Sequence, residues 1–173
     1  PRPRYHQRYP IDSMDLDAIR ESLSKLDAEH HMDLGDARPE TIERLQSVGL
    51  PEDLVELVTK CWPQTPNRGH AGPYGLAASA QLVTPNLETE IANHGLFFFS
   101  SAGNGDSVAI EVNLPDYPVL IFDHSNWDND LTDIRSIAVG LALTLDEFFA
   151  RVANDPEMPG DYWDVRYSLH DSG

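Results

Sequence analysis

The chain has 173 residues, 40% of them hydrophobic, and its 29 acids against 12 lysines and arginines give a net charge of −17. This length and hydrophobic content predict one globular domain with a sizeable core and exclude a disordered chain. The first ten residues contain three arginines and no acid, so residues 11–173 carry −20. Because nucleic acids and anionic lipids are bound through basic groups, such a charge disfavours both and favours a basic protein partner.

Residues 1–13 are rich in Pro, Arg and Tyr, and we expect a flexible arm there, either native or a remnant of recombinant expression. They lack the apolar stretch of a signal peptide, and apolar runs such as 96–99 and 138–143 are too short to cross a bilayer. The only cysteine, Cys61, excludes an internal disulfide and fits a reducing compartment. We therefore expect a cytoplasmic protein whose residues 14–173 form a single domain.

The first half of the chain carries helical patterns. Residues 16–26 place leucine and isoleucine at helical spacing, after several aspartates that favour a helix start. Residues 39–62 predict a helix, a tight bend at Gly49 and a second helix opened by Pro51. Residues 64–75 predict a loop, and residues 81–95 a strand followed by a short helix.

The second half carries strand patterns. Residues 96–100, 108–112 and 119–123 predict three strands, and the alternation in the second indicates one solvated face. Thr144 and Glu147 have the spacing of a capping box, which predicts a helix with an apolar face. Residues 163–169 alternate between apolar and polar side chains and predict one further strand. Helices, then strands, then one helix is an α+β arrangement.

The turn Gly103-Asn-Gly-Asp106 between two of these strands raises the question of a phosphate-binding loop. Such loops are followed by a helix whose N–H groups hold the anion, whereas here a strand follows and Asp106 would repel phosphate. We therefore predict a β-hairpin in which Asn104-Gly105 accepts positive φ.

Residues 123–130 contain enough acids, with a histidine, to raise the question of a metal site. An EF-hand loop starting at Asp128 would need Gly at its sixth position and Glu at its twelfth, where the chain has Asp133 and Val139. Paired cysteines or a histidine pair suited to zinc are also missing from the sequence. We predict a structural or partner-facing acidic loop, with no metal and no other cofactor.

Nucleophilic catalysis has little support. The sequence has no Gly-x-Ser-x-Gly elbow, and Cys61 falls on the apolar side of a predicted helix, which favours a buried small side chain. Carboxylates are too numerous to single out a catalytic pair. We predict a binding protein and no enzyme.

Two aromatic residues in predicted loops have acidic neighbours. Aromatic rings supply contact area at protein interfaces and acids steer a basic partner toward them, which predicts a contact surface. The alternative is that both rings fold back onto the core. With the acid of the glycine turn, the predicted contact residues are Asp106, Asp116, Tyr117, Trp127, Asp128 and Asp130.

The order of several motifs resembles the SUKH superfamily of Smi-type regulators and bacterial toxin-immunity proteins. The matching stretches, over about residues 40–153, are GLPEDLVELVTKCW, GPYGLAASAQLV, FFFSSAGNGDSVAIEV, YPVLIFDHSNWD and SIAVGLALTLDEFFARV. The N-terminal helix and the tail after residue 153 are additions to the family pattern. The Asn before Gly105 stands where relatives often carry another glycine.

The resemblance implies an α+β fold with a mixed or antiparallel central sheet, packed by N-terminal helices and one C-terminal helix. It implies no catalysis, and it gives Gly105 and Asp106 only a turn-forming role. Many bacterial members bind and neutralise a cognate toxin, often a nuclease. We therefore expect an immunity protein for a basic toxin. The alternatives are a Smi-type scaffold that binds a cellular protein, and a metal-dependent hydrolase using the acids of residues 122–130.

Overall fold

The computed structural model describes residues 14–128 and 130–170, apart from the side chain of Asn86. The arm expected at residues 1–13 lies outside the described residues. Within them the chain forms the six helices α1 Leu16–His30, α2 Pro39–Ser47, α3 Glu52–Lys60, α4 Pro85–His94, α5 Leu145–Asn154 and α6 Tyr162–His170. Short 3-10 helices cover Ser79–Val83, His124–Asn126 and Ile134–Ile137.

The described part of the chain forms two sheets, and every strand pair in them is antiparallel. The small sheet pairs β1 with β2, and the large one has the order β3-β4-β5-β6-β7-β8, so that each strand pairs with its neighbour in the chain. The strands are β1 Leu34–Gly35, β2 Trp62–Pro63, β3 Gly69–Ala71, β4 Tyr74–Leu76, β5 Leu96–Ala102, β6 Ser107–Glu111, β7 Val119–Phe122 and β8 Ala138–Gly140. The predicted α+β class with an antiparallel central sheet packed by helices is confirmed.

Side chains of the large sheet are buried on both of its faces. Phe97 and Phe99 of β5 join the main core with residues of α1, α3 and α5. Phe98, between them, points to the other face and joins a smaller cluster with Ala109 and the 3-10 helix Ile134–Ile137. This alternation follows from the two-residue period of a strand. The solvated face predicted for β6 is wrong, because Ala109 is fully buried in that second cluster.

The predicted helices of the first half are confirmed as α1, α2 and α3, and the capping box at Thr144 opens α5 as expected. Residues 64–75 are more ordered than predicted, because β3 and part of β4 lie there as a hairpin. The strand expected at the start of residues 81–95 is wrong. The chain there forms a 3-10 helix and then α4, whose start is capped by the side chain of Thr84.

The strand predicted for residues 163–169 is also wrong, since these residues belong to α6, a second C-terminal helix. Asp161 precedes the helix, and its carboxylate accepts a hydrogen bond of 2.9 Å from the backbone N–H of Asp164. That bond satisfies a free donor of the first turn. Tyr162 and Val165, three residues apart, are buried on one side, whereas Trp163 and Tyr167 stay exposed.

Candidate functional site

The Gly-Asn-Gly-Asp turn closes the hairpin between β5 and β6, as predicted. Gly105 has φ +99°, a conformation that glycine adopts without strain, whereas Asn104 does not share the positive φ expected for it. The Asn104 side chain instead accepts a 3.0 Å hydrogen bond from the backbone N–H of Asp106. The turn therefore directs the Asp106 side chain into the protein.

Asp106 is not part of an exposed contact surface, because the residue is only 1% exposed. Its Oδ1 accepts hydrogen bonds from the backbone N–H of His124 at 3.0 Å and from His124 Nδ1 at 2.6 Å. Its Oδ2 accepts from Asn104 Nδ2 and from the backbone N–H of Tyr162, both at 2.9 Å. The prediction that Asp106 contacts a partner is therefore wrong, and its role is to join the hairpin, the loop after β7 and α6.

Asp123, beside Asp106, is buried, and its carboxylate accepts hydrogen bonds from the residues that follow β7. Its Oδ1 accepts from the backbone N–H and hydroxyl of Ser125 at 2.9 and 2.6 Å, and its Oδ2 accepts from Asn126 Nδ2 at 2.6 Å. Burial opposes ionisation of both aspartates, but these donors outweigh it, and the pKa of Asp106 and that of Asp123 both lie below the usual range. Both side chains are therefore buried carboxylates stabilised by hydrogen bonds.

Asp106, Asp123 and His124 form a cluster in which one ligand atom from each lies within 4.8 Å of the others. Ser107 pairs with Phe122 across β6 and β7, which is why two acids distant in sequence become neighbours. Every carboxylate oxygen of the cluster already accepts a hydrogen bond from the protein. These hydrogen bonds explain the cluster as a structural contact that joins the turn after β5 to the residues after β7.

The ring of Trp127 lies at the surface, directly after the 3-10 helix His124–Asn126. It packs edge-on against Phe98 and Phe122, with centroid distances of 5.8 and 6.1 Å, and the residue remains 41% exposed. Asp128 and Asp130 beside it are exposed, and Asp128 Oδ1 accepts a 3.1 Å hydrogen bond from the backbone N–H of Asp130. One side of Trp127 is thus fixed to the second core cluster, while the rest is available for contact.

Asp116 and Tyr117 lie elsewhere, since they precede β7 and Trp127 follows it, which places them at opposite ends of that strand. Tyr117 is half-buried, and its hydroxyl donates a 2.7 Å hydrogen bond to Asp53 Oδ1 of α3. Burial and the neighbouring Asp53 carboxylate raise the pKa of Tyr117. For Tyr117, the alternative that the ring folds back onto the core is the one observed.

A cleft of about 190 Å³ separates Trp127 and Asp128 from the last turns of α4. Its remaining lining residues are Glu90, His94, Leu131 and Ile134. Glu90 Oε2 is buried and has no hydrogen-bond partner within the described part of the chain, and His94 Nε2 lies 3.8 Å from it. Sequence reasoning missed Glu90 and His94, because nothing in α4 indicates that this helix packs beside the loop after β7.

Cys61 lies at the end of α3 and is partly buried, and burial raises the pKa of its thiol. A thiol with a raised pKa is a weaker nucleophile at neutral pH, because the thiolate is the reactive form. Its structural setting therefore gives no support for a catalytic role.

None of the helices in residues 14–128 and 130–170 is both long enough and apolar enough to cross a membrane. The chain matched no known protein-family model, no curated protein and no solved structure.

Proposed function

We propose that this protein is an immunity protein that binds a basic bacterial toxin, such as a nuclease, in a stoichiometric complex and so neutralises it. The observation that carries the proposal is the setting of Trp127, a fixed and partly exposed aromatic ring with exposed carboxylates beside it. Rigid aromatic anchors surrounded by charged groups are typical of protein interfaces. The net charge of −17 and the motifs that resemble the SUKH superfamily point the same way.

The proposed contact surface is smaller than the sequence suggested. It consists of Trp127, Asp128 and Asp130 with the adjoining cleft beside α4, and we name it the Trp127 surface. Asp106 is excluded by its burial, and Asp116 and Tyr117 lie at the other end of β7. The exposed acids raise the rate of encounter with a basic partner, and the ring provides apolar area once the partner is docked.

Two other functions can be tested against this one. A Smi-type scaffold would use the same surface on a cellular protein, and the identity of the partner distinguishes it from an immunity protein. A metal-dependent hydrolase is favoured only by the cluster of Asp106, Asp123 and His124. Turnover that requires a divalent cation and is lost in Asp123→Asn would support the hydrolase.

The test begins with the protein encoded beside this chain in its genome. An immunity protein should co-purify with that product in a fixed ratio and suppress its toxicity. Association is then measured at low salt for the wild type, for the double variant Asp128→Lys/Asp130→Lys and for the control Glu21→Lys/Glu43→Lys. The control makes the same change of charge at exposed acids of α1 and α2.

We expect association to slow about tenfold or more in the first variant and to change little in the control, since steering depends on charge close to the docking surface. The difference should shrink as salt is added, because exposed charges are screened. Equal slowing in both variants would mean that only net charge matters, and that the Trp127 surface is not the site. No stable complex with any neighbouring gene product would contradict the immunity function.

A further inference from the structure

We propose that the cleft between α4 and the described residues 127–128 and 130–134 is a pocket for one arginine side chain of the partner. This inference rests on the proposed function, because it names the group that the Trp127 surface would hold. The pocket is lined by Glu90, His94, Trp127, Asp128, Leu131 and Ile134.

Glu90 supplies the strongest reason to expect a cation there. Its Oε2 atom is buried, and within the described residues no donor forms a hydrogen bond with it. The nearest basic group, His94 Nε2, lies 3.8 Å away, beyond hydrogen-bonding distance. A carboxylate with one oxygen buried and without a donor is costly, and a cation seated in the pocket beside it would stabilise its negative charge.

The size and walls of the pocket fit a side chain better than a whole small molecule. Its volume of about 190 Å³ is below the roughly 300–1,000 Å³ typical of small-molecule sites. Glu90 and Asp128 provide carboxylates, and the Trp127 ring provides an aromatic surface. A guanidinium group is planar, donates two parallel hydrogen bonds to one carboxylate and stacks on aromatic rings. An ammonium group is a compact charge that lacks this geometry.

The same end of α4 already holds a guanidinium from within the chain. Arg135 donates to both carboxylate oxygens of Glu111 at 2.7 Å and to the carbonyl oxygen of His94 at 2.6 Å. The C-terminal end of a helix carries partial negative charge, which favours a cation at that position. Arg135 is thus engaged by Glu111, and among the described residues that line the pocket His94 is the one basic residue.

The experiment uses the intact protein and Nα-acetyl-arginine amide, with Nα-acetyl-lysine amide as the comparison. Backbone and indole N–H signals are followed by NMR during each titration. We expect the arginine compound to shift the signals of Trp127, Leu131 and the last turn of α4, and to bind more tightly than the lysine compound. Glu90→Gln should weaken arginine binding about tenfold or more, because it removes a negative charge from the wall of the pocket.

Glu21→Gln is the matched control, because it removes the same charge from an exposed site on α1 and should leave binding unchanged. If Glu90→Gln does not fold, Asp128→Asn at the exposed rim serves as the second variant, and it too should weaken binding. Shifts spread over the whole surface, or equal losses in Glu90→Gln and Glu21→Gln, would overturn the pocket.

The titration with the arginine compound needs no partner protein. A failure of the pocket can therefore be distinguished from a failure of the proposed immunity function. A stable toxin complex whose affinity is unaffected by Glu90→Gln would overturn the pocket and leave the immunity function standing. Arginine binding at the pocket without any toxin complex would contradict the immunity function alone.

Discussion

The carboxylate of Asp106 accepts a 2.9 Å hydrogen bond from the backbone N–H of Tyr162, a residue 56 positions farther along the chain. Asp106 thereby connects the turn between β5 and β6 with the first residue of α6. The same carboxylate holds the backbone and ring of His124, where the chain leaves β7. One buried side chain therefore fixes three segments that are far apart in sequence, including the loop that leads to Trp127.

Replacing Asp106 with asparagine should destabilise the protein strongly. The variant keeps the shape of the side chain, but its amide nitrogen would face N–H donors and the negative charge that strengthens these bonds would be lost. We expect the free energy of unfolding to fall by about 2–4 kcal/mol, measured by denaturation in urea.

Asp36→Asn is the matched control, because Asp36 is exposed and its replacement should change stability by less than about 0.5 kcal/mol. A loss below about 1 kcal/mol in Asp106→Asn would show that the buried network contributes little.

The stability of the protein should fall in acid because of Asp106 and Asp123. Hydrogen bonds outweigh the effect of burial and lower the pKa of both carboxyl groups, so the unfolded chain binds protons at a higher pH than the folded protein does. Their stabilising contribution is complete above the usual aspartate pKa of about 3.9 and is lost as the pH falls through the folded-state values.

The urea midpoint, measured from pH 7 to pH 3, should therefore decline below about pH 5, and less steeply in Asp106→Asn, which has lost one of the two groups. Parallel curves for the two proteins would mean that Asp106 is not among the groups responsible.

Local patterns predicted much of this fold. Helical spacing correctly predicted α1 to α3, and the glycine turn predicted the hairpin of β5 and β6. The spacing of Thr144 and Glu147 predicted the start of α5. Alternation failed at residues 163–169, because these residues lie in α6, where only Tyr162 and Val165 are buried. A capping aspartate at 161 was the local signal for a helix, and it was missed.

The site was less predictable because it depends on packing between distant segments. Trp127 and Asp128 stood out in the sequence as an aromatic residue beside acids. Glu90 and His94 enter the same cleft only because α4 packs beside the loop after β7, and no spacing within α4 encodes that contact. Asp106 looked like a solvated turn residue for the same reason, since its partners at 124 and 162 are brought to it by the tertiary fold.

Tyr117→Phe should affect stability and leave partner binding unchanged. The hydroxyl of Tyr117 donates to Asp53 at 2.7 Å, so the variant loses a hydrogen bond to a carboxylate on α3. Because the pair is only half-buried, we expect a loss of about 1–2 kcal/mol in the free energy of unfolding. A weaker complex with unchanged stability would instead place Tyr117 in the interface, as its neighbouring acid first suggested.

Thr144→Ala tests the capping box of α5. The Thr144 hydroxyl accepts from the backbone N–H of Glu147, and the Glu147 carboxylate accepts from the backbone N–H of Thr144 at 2.9 Å. Loss of the hydroxyl removes one of the two acceptors of the Glu147 N–H, which then has only the Asp146 carboxylate at 3.2 Å, and also removes the hydroxyl's own bond to Asp146. The unfolding free energy should fall by about 1 kcal/mol, measured in urea. Thr144→Ser, which retains the hydroxyl, should recover most of that loss, and an equal loss in both variants would argue against the cap.

Trp127→Ala should separate a docking residue from an ordinary exposed aromatic. Trp163 on α6 is the matched control, because it is 43% exposed and Trp127 is 41% exposed. If Trp127 anchors the partner, its loss should weaken the complex about 30-fold or more, as for interface hot spots, whereas Trp163→Ala should change affinity less than threefold. The affinity is measured by calorimetry at a temperature where both variants are folded, because Trp127→Ala also loses its contacts with Phe98 and Phe122. Similar affinities for the two variants would remove Trp127 from the interface, and a larger loss in Trp163→Ala would transfer the docking surface to α6.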